Sequence, residues 1–444
     1  MASPTSSTRP ASWGLALLWL VSLSAGCGGG APDAGGQAGR SGSGGGPVAT
    51  GGASPSVGSP GTGGVGTGGV TGTGGVSSTG GVSGAAGALA TGGTRATGGV
   101  AGTVGGGAGA GGAAGRAAVG GAPGSGPCDI YQAGNTPCVA AHSTVRALYA
   151  GYSGNLYQVR RASDKTTKDI PVLSAGGYAA SSVQDSFCAG TTCTISIIYD
   201  QSPNANHLTK APAGGWLNNG GLEANATAAR ITANGHTVYG VYTTSSFDND
   251  AGSVGYRNNK TKGVATGDDP EAMYMVASGK HTNQWCCFDY GNAETNNIDD
   301  GKATMEAVYF GTSTQWGRGT GNGPWVMADL EDGVYAGGST AAPATNTPLV
   351  ASYVTAMLKG PSGNRFALKG GDAQSGALAT KYDGARPAGY SPQKKQGAII
   401  LGIGGDNSHT GEGTFFEGCM TSGVPSDAAD DAVQANIVAA GYGR

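Results

Sequence analysis

From Cys128 to the C-terminus the apolar residues come in short runs separated by clusters of Gly, Asn, Asp and Pro, the pattern of strands joined by turns. The clearest runs are 194–199 (TISIIY), 272–277 (AMYMVA), 305–310 (MEAVYF), 324–330 (PWVMADL), 350–358 (VASYVTAML), 365–368 and 398–403 (AIILGI). Helical spacing interrupts them twice at most. One candidate helix covers 142–150; a second begins after Pro425 with Ser426 or Asp427 as its cap and turns Val433, Ile437 and Val438 inward. Many short strands without alternating helices predict an all-β architecture, one β-sandwich of about 300 residues rather than a parallel α/β sheet.

Ahead of Cys128 the pattern vanishes. The sequence holds 88 glycines; they crowd into residues 28–127, where there is no aromatic residue and the charges are Asp33, Arg40, Arg95 and Arg116. Such a stretch cannot bury enough apolar surface to offset its ordering entropy, so a disordered linker is expected. Thr-Gly-Gly-Val recurs irregularly at Thr62, Thr67, Thr73, Thr79 and Thr97, which suits a tether better than a stacked repeat. About 100 residues of this stiffness reach roughly 50 to 60 Å. At the N-terminus, Arg9, the apolar run 13–23 and the small residues after it read as an export signal spanning 1–27. Ser24, Ala25 and Gly26 before Cys27 resemble a bacterial lipoprotein cleavage box, with Leu23 one place early, so Cys27 is the expected lipidation site and the chain's only expected membrane contact. No later segment offers about 18 consecutive apolar residues, so no transmembrane helix is expected in the mature chain.

The formal net charge of -3 carries no basic stripe and argues against a nucleic-acid partner. Eight cysteines are present. With Cys27 assigned to the lipid or the signal, one of the other seven is odd. Cys128 with Cys138 and Cys188 with Cys193 are close enough to close short loops, but six paired cysteines allow about 15 connectivities. The adjacent Cys286 and Cys287 can pair with each other, or one of them can pair with Cys419. The five histidines (142, 207, 236, 281, 409) show no ligand spacing with the cysteines, so no metal site and no cofactor is expected.

Two places can carry chemistry. Period-two geometry along 324–331 puts Trp325, Met327, Asp329 and Glu331 on one face and Val326, Ala328 and Leu330 on the other. Two carboxylates then share a face, unless the strand ends early and both lie in a solvated Leu-Glu-Asp-Gly turn. Asp406, in Gly404-Gly405-Asp406-Asn407-Ser408 after an apolar strand, either faces a cleft or closes an Asx-type turn. Trp285, Trp316 and Trp325 offer flat faces for sugar C–H groups. That set points to carbohydrate. No Gly-x-Ser-x-Gly elbow supports an esterase of α/β-hydrolase type.

The runs CDIYQAGNTPCVAAHSTVRALY, QDSFCAGTTC, IIYDQS, GYRNN, CCFDYGNAET, MEAVYFG, GPWVMADLE, GAIILGIGGDNS and VQANIVAAGYG cover essentially all of 128–444. They make this region resemble the catalytic domain of glycoside hydrolase family 54, the fungal-type α-L-arabinofuranosidases. The resemblance implies a concanavalin/laminin-G-like β-sandwich (jelly roll) and a retaining hydrolase that releases terminal α-L-arabinofuranosyl residues from plant arabinoxylan or arabinan. It implies Glu331 as nucleophile and Asp406 as acid/base, with Asp329, Trp316, Gly405, Cys286 and Cys287 lining the arabinose pocket. It also implies the bridges Cys128–Cys138, Cys188–Cys193 and Cys286–Cys287, and gives Glu294 and Glu306 no catalytic role. Three departures stand out. Asp332 and Gly333 replace the asparagines common in fungal members, Cys419 stands where an apolar residue is usual, and the arabinose-binding β-trefoil of fungal members is not expected after Arg444. An exported, monomeric, cell-surface or extracellular enzyme is the resulting expectation. A non-catalytic lectin-like module is the alternative, because the same sandwich carries many sugar binders; a tethered structural surface protein would explain the linker but not the pocket residues.

Overall fold

The computed structural model describes residues 124–246 and 252–444. The export segment, Cys27 and the glycine-rich stretch up to residue 123 lie outside the described residues. The chain opens with α1 (Pro127–Ala133), β1 (Cys138–Ser143), β2 (Asn155–Arg161), β3 (Thr167–Pro171), α2 (Ser181–Phe187), β4 (Cys193–Ile198) and β5 (Leu208–Lys210). It continues through β6 (Ala229–Ala233), β7 (His236–Thr243), β8 (Tyr256–Asn258), β9 (Glu271–Ser278), β10 (Asp289–Ala293), β11 (Glu306–Gly311), β12 (Trp325–Asp329) and β13 (Val334–Tyr335). It closes with β14 (Tyr353–Gly360), β15 (Phe366–Asp372), β16 (Ala379–Gly384), β17 (Ala398–Leu401), β18 (Gly413–Ser422) and α3 (Asp427–Ala439).

The strands form two antiparallel sheets packed face to face as a β-sandwich. One has the order β16-β15-β14-β9-β18-β7-β6, with β1 also paired to β18; the other runs β13-β12-β11-β10-β17-β8-β5-β4-β2-β3. Alternation along β12 shows how the layers are divided. Val326, Ala328 and Leu330 enter the inter-sheet core with Val354, Ala356, Leu358 and Leu368. Trp325 and Met327 point the other way, into a smaller cluster with Cys286, Cys287, Tyr309, Val334 and Ala336. A second outer cluster, Ala211, Leu217, Ala293, Met305, Ala307, Ala398, Ile400 and Ile403, covers the neighbouring strands on that same side. The outward face of the larger sheet is therefore roofed at two places, and the gap between them is where the carboxyls gather.

Several expectations are corrected. The apolar residues of 142–150 do not form a helix: His142 is the penultimate residue of β1, opposite Gly418 of β18. Ser143 Oγ then accepts from the Val145 and Arg146 N–H groups, each at 3.0 Å, and turns the chain away. Long-range pairing overrides helical spacing here. There are three helices among the described residues rather than two, because α1 and α2 have seven residues each and are too short to show a period. α3 is capped by Ser426 and buries Val433 and Ile437, but Val438 is only half-buried. Trp325 is 1 % exposed and offers no face to a sugar. No helix among the described residues is long and apolar enough to cross a membrane.

Disulfides join Cys128 to Cys138, Cys188 to Cys193 and Cys286 to Cys287, and Cys419 is a buried free thiol. Charged groups inside the sandwich are paired with opposite charge. Glu417 accepts from the Arg146 guanidinium at 2.6 and 2.8 Å and from Tyr442 at 2.7 Å. Lys359 and Lys369 reach Asp430 at 2.6 and 2.8 Å and so fasten α3 to β14 and β15. Glu306 lies between Arg386 at 2.6 Å and Lys395 at 3.0 Å, all three fully or almost fully buried. Burial alone would raise the Glu306 carboxyl; the Lys395 and Arg386 charges outweigh it and hold the carboxyl below its ordinary value. Glu306 is thus a structural anion. Arg386→Met strands part of its charge, and a loss of about 3 to 5 kcal/mol is expected in urea unfolding. A loss below about 1 kcal/mol would show that Lys395 alone suffices.

Candidate active site

The β12–β13 hairpin has a two-residue turn, Glu331 and Asp332, closed by the Leu330 N–H bonding to Gly333 O at 3.1 Å. Such a turn needs positive φ at both central residues, and Glu331 and Asp332 have φ of 62° and 55°. For a glutamate that conformation is unfavourable, and residues held this way concentrate at functional sites. The strand does end before Glu331, as the solvated-turn alternative has it, but the turn is not solvated: Asp329 and Glu331 are each 5 % exposed. Asp329 is fixed from two sides. Its Oδ1 accepts from the Glu331 N–H at 3.3 Å, and its Oδ2 lies 3.0 Å from Cys287 Sγ and 3.7 Å from Cys286 Sγ.

The opposite wall comes from the loop after β17. Asp406 Oδ1 accepts from the Ser408 N–H at 2.8 Å, so the Asx turn forms as well as the cleft-facing carboxyl. Asn407, at φ 62°, donates to Pro212 O at 2.9 Å, and the Trp216 N–H donates to Asp406 O at 3.0 Å, which laces this loop to the segment above it. Gly405 is required by space. A Cβ there would collide with Glu294 Oε2 and come within 2.7 Å of Glu331 Oε2. Beneath the loop Arg257 donates to Gly405 O at 2.6 Å, to Asn407 Oδ1 at 3.0 Å and to the carbonyl of Glu294.

The pocket so formed encloses about 320 Å³ including its open mouth. Cys286, Cys287, Trp316, Asp329, Glu331, Gly405 and Asp406 all line it, together with Asp299, Asp332, Gly333 and Ser408. Burial dominates its electrostatics. It raises Asp406 above the ordinary carboxyl range, against the Ser408 hydrogen bonds. Burial followed by the Glu294, Asp406 and Asp329 charges raises Glu331, and burial pushes Glu294 beside it up to about 7, so the two carboxyls titrate as a pair that shares a proton. Asp329 is pushed up to about 7 by burial, although a hydrogen bond from Asp289 works the other way. Arg257 is lowered to about 10 by burial and stays protonated at neutral pH.

All seven expected site residues meet in this one pocket. Expectation missed Asp289 and named Glu294 only to give it no catalytic role; both are 0 % exposed and stand behind Asp329 and Glu331. It also missed Trp216, 41 % exposed, whose side chain hydrogen-bonds the Asp406 carboxyl. A buried carboxylate inside a strand-forming segment such as CCFDYGNAET was the available signal. Cys286, Cys287 and Asp329 have the spacing of a metal triplet, as do Cys128, Cys138 and Cys419. Two sulfurs of each triplet are joined as a disulfide, which lacks the thiolate that binds metal.

Residues 127–443 match the family model described as alpha-L-arabinofuranosidase B, catalytic. The chain is 55 % identical over 332 residues to the alpha-L-arabinofuranosidase B of Emericella nidulans, covering 73 % of this chain and 64 % of that protein. It is 54 % identical over 327 residues to the Aspergillus oryzae protein of the same name, covering 72 % and 62 %. It therefore spans a little under two thirds of the length of these curated relatives. A solved arabinofuranosidase complexed with arabinofuranosyl-α-1,2-xylobiose matches with a TM-score of 0.68 and 52 % identity, over 71 % of this chain and 65 % of that one.

Proposed function

The chain belongs to the catalytic family of alpha-L-arabinofuranosidase B, and on that premise we propose that it is a retaining α-L-arabinofuranosidase acting on terminal, non-reducing arabinofuranosyl units. The observation that carries the reading is the convergence of Glu331, from the β12–β13 turn, and Asp406, from the loop after β17, in one buried pocket. A small pocket rather than a long cleft suits removal of side-chain sugars from arabinoxylan or arabinan more than cleavage within a polymer.

In this reading Glu331 attacks the anomeric carbon while Asp406 protonates the departing glycosidic oxygen. Asp406 then removes a proton from water, which displaces Glu331 and releases arabinose in the original configuration. Burial supports the acid role, since a raised pKa keeps the proton on Asp406 into the neutral range. The Ser408 N–H bonds to Asp406 Oδ1, and the Ser408 and Trp216 side chains add hydrogen bonds that orient the carboxyl. Asp329, gripped by the Cys286–Cys287 pair, serves as acceptor for sugar hydroxyls, and Trp316 closes the pocket beside it. The run 13–23 and the small residues before Cys27 support export, with lipid attachment at Cys27 holding the enzyme at the cell surface through the glycine-rich tether.

Glu331→Gln is expected to lower turnover of 4-nitrophenyl α-L-arabinofuranoside by about 10⁴-fold or more. The same variant has a second expected effect. A carboxyl raised by folding stabilises the protein only while protonated, and that stability is lost as pH rises above the unfolded value. Removing the charge is expected to raise Tm at pH 7 by a few degrees. Full activity in the variant would reject Glu331 as nucleophile, and binding of arabinosides without release by the parent would reject hydrolysis altogether.

For Asp406→Asn the loss is expected to depend on the leaving group. Substrates with alkyl or sugar aglycones should lose about 10²- to 10⁴-fold in kcat/KM, while 4-nitrophenyl release suffers far less in the first step. Equal losses on both substrates would remove Asp406 from the acid role.

A further inference from the structure

Glu294 is the carboxyl of this pocket that the proposed mechanism does not use. It follows β10, is 0 % exposed, and has one oxygen served and one not. The Thr304 hydroxyl donates to Oε1. The same hydroxyl lies 2.6 Å from Gly301 O, and its single proton serves one of these two acceptors at a time. No donor among the described residues reaches Oε2. That oxygen is aimed at Gly405, over which it meets Glu331 Oε2. Two ionised carboxylates in a buried contact of this kind repel strongly, and one of a pair so placed holds a proton.

One cation, Arg257, acts on the pair through its charge and favours the ionised form of Glu294. Arg257, the guanidinium beneath the loop, directs its donors at the carbonyls of Gly405 and Glu294 and at the side chains of Asn407 and Asn259. The other groups facing the pair are acidic: Asp329 and Asp406 across the pocket, Asp299 at its mouth, with Asp289 behind Asp329. Asp332, the next residue of the turn, faces Asp299 and Lys302 instead.

We propose that Glu294 is the neutral partner of this pair, a positioning residue that donates a hydrogen bond from its protonated Oε2 to Glu331 Oε2, keeping Glu331 ionised with Oε1 free to attack. The inference rests on Glu331 being the nucleophile. Glu294 touches no sugar atom, and its proton does not change owner. It acts through charge. When Glu331 becomes an ester its oxygen is a weaker acceptor, and when water breaks the ester the returning negative charge meets a donor already in place. Glu294 therefore assists the second half of the reaction more than the first.

The test is the acid limb of the kcat/KM–pH profile for 4-nitrophenyl α-L-arabinofuranoside in the full chain, compared across the parent, Glu294→Gln and Glu294→Ala, with Glu331→Gln as control. A glutamine keeps an N–H donor toward Glu331 and presents its oxygen to Thr304, so the limb should stay within about 0.3 pH unit of the parent. Alanine removes the donor, and the limb should rise by about 1 to 2 pH units, the worth of a charge-assisted hydrogen bond. Its kcat should fall at least about tenfold with less change in KM, because breakdown of the ester is slowed.

If Glu294 were instead an ionised neighbour, Glu294→Gln would delete a like charge and lower the limb by a unit or more, which overturns the proposal. An unchanged limb in both variants overturns it too. Should Glu294→Ala fail to fold, the direction of the shift in Glu294→Gln decides alone. Parental activity in Glu331→Gln would remove the nucleophile itself, an outcome distinct from a shifted limb with that control inactive.

Discussion

Five carboxyls, those of Asp289, Glu294, Asp329, Glu331 and Asp406, are gathered on the outward face of one sheet, none more than 7 % exposed, and one guanidinium lies beneath them. Ionising all five there would place several like charges in a region that excludes water, at a cost of several kcal/mol for each. The surrounding structure follows from this excess. Some of the carboxyls must carry protons at neutral pH, and those protons must be held where they serve the chemistry. The stability so lost is offset by the inter-sheet core, which needs nothing from the face where the carboxyls lie.

The contrast with the other buried carboxyls separates structural from chemical roles. Glu306, Glu417 and Asp430 are as deeply buried, yet each meets an arginine or lysine within 3.0 Å. They fasten strands and the last helix. In the pocket, carboxyl meets carboxyl: Asp289 with Asp329, and Glu294 with Glu331. Arg257, the cation available, neutralises none of them directly and instead holds the backbone of the Gly405–Asn407 loop. What a buried acid is paired with thus says more about its role than how buried it is.

Much of the sandwich was legible because strands write their period locally. The apolar runs around 272–277, 305–310 and 398–401 fall within a residue or two of β9, β11 and β17. β18 was not legible, although it is a central strand of ten residues. It carries Glu417 and Gly418 in its interior, and Arg146, far away in sequence, with Tyr442, makes that glutamate tolerable inside. The same long-range pairing turned the helix-like spacing of 142–150 into a strand and a turn. In the pocket, period two placed Asp329 correctly and left Glu331 ambiguous, because the turn that ends the strand is also the turn that aims the side chain. Resemblance to a family supplied the pair of Glu331 and Asp406. Neither period nor resemblance pointed to Trp216, and the resemblance left Glu294 without a role; both reach the site only when β10 and the segment near residue 215 come to lie beside the Gly405 loop.

The proposed substrate, a neutral sugar, would explain why acid–acid pairs are tolerable here. On that proposal an arabinofuranosyl unit brings no charge for the protein to complement, so the pocket needs hydrogen-bond acceptors for hydroxyls, one proton to deliver and one anion to attack. Carboxyls supply all three, and their state is set by neighbours rather than by identity. Burial and the Asp329 charge keep Asp289 protonated, which makes Asp329 a fixed acceptor, while Asp406 has backbone and indole donors and no acid partner of its own. In the proposed reaction it is therefore the member whose proton is left to be exchanged with the glycosidic oxygen and with water. The side chains differ little, and the division of labour among them comes from which neighbour each one shares its proton with.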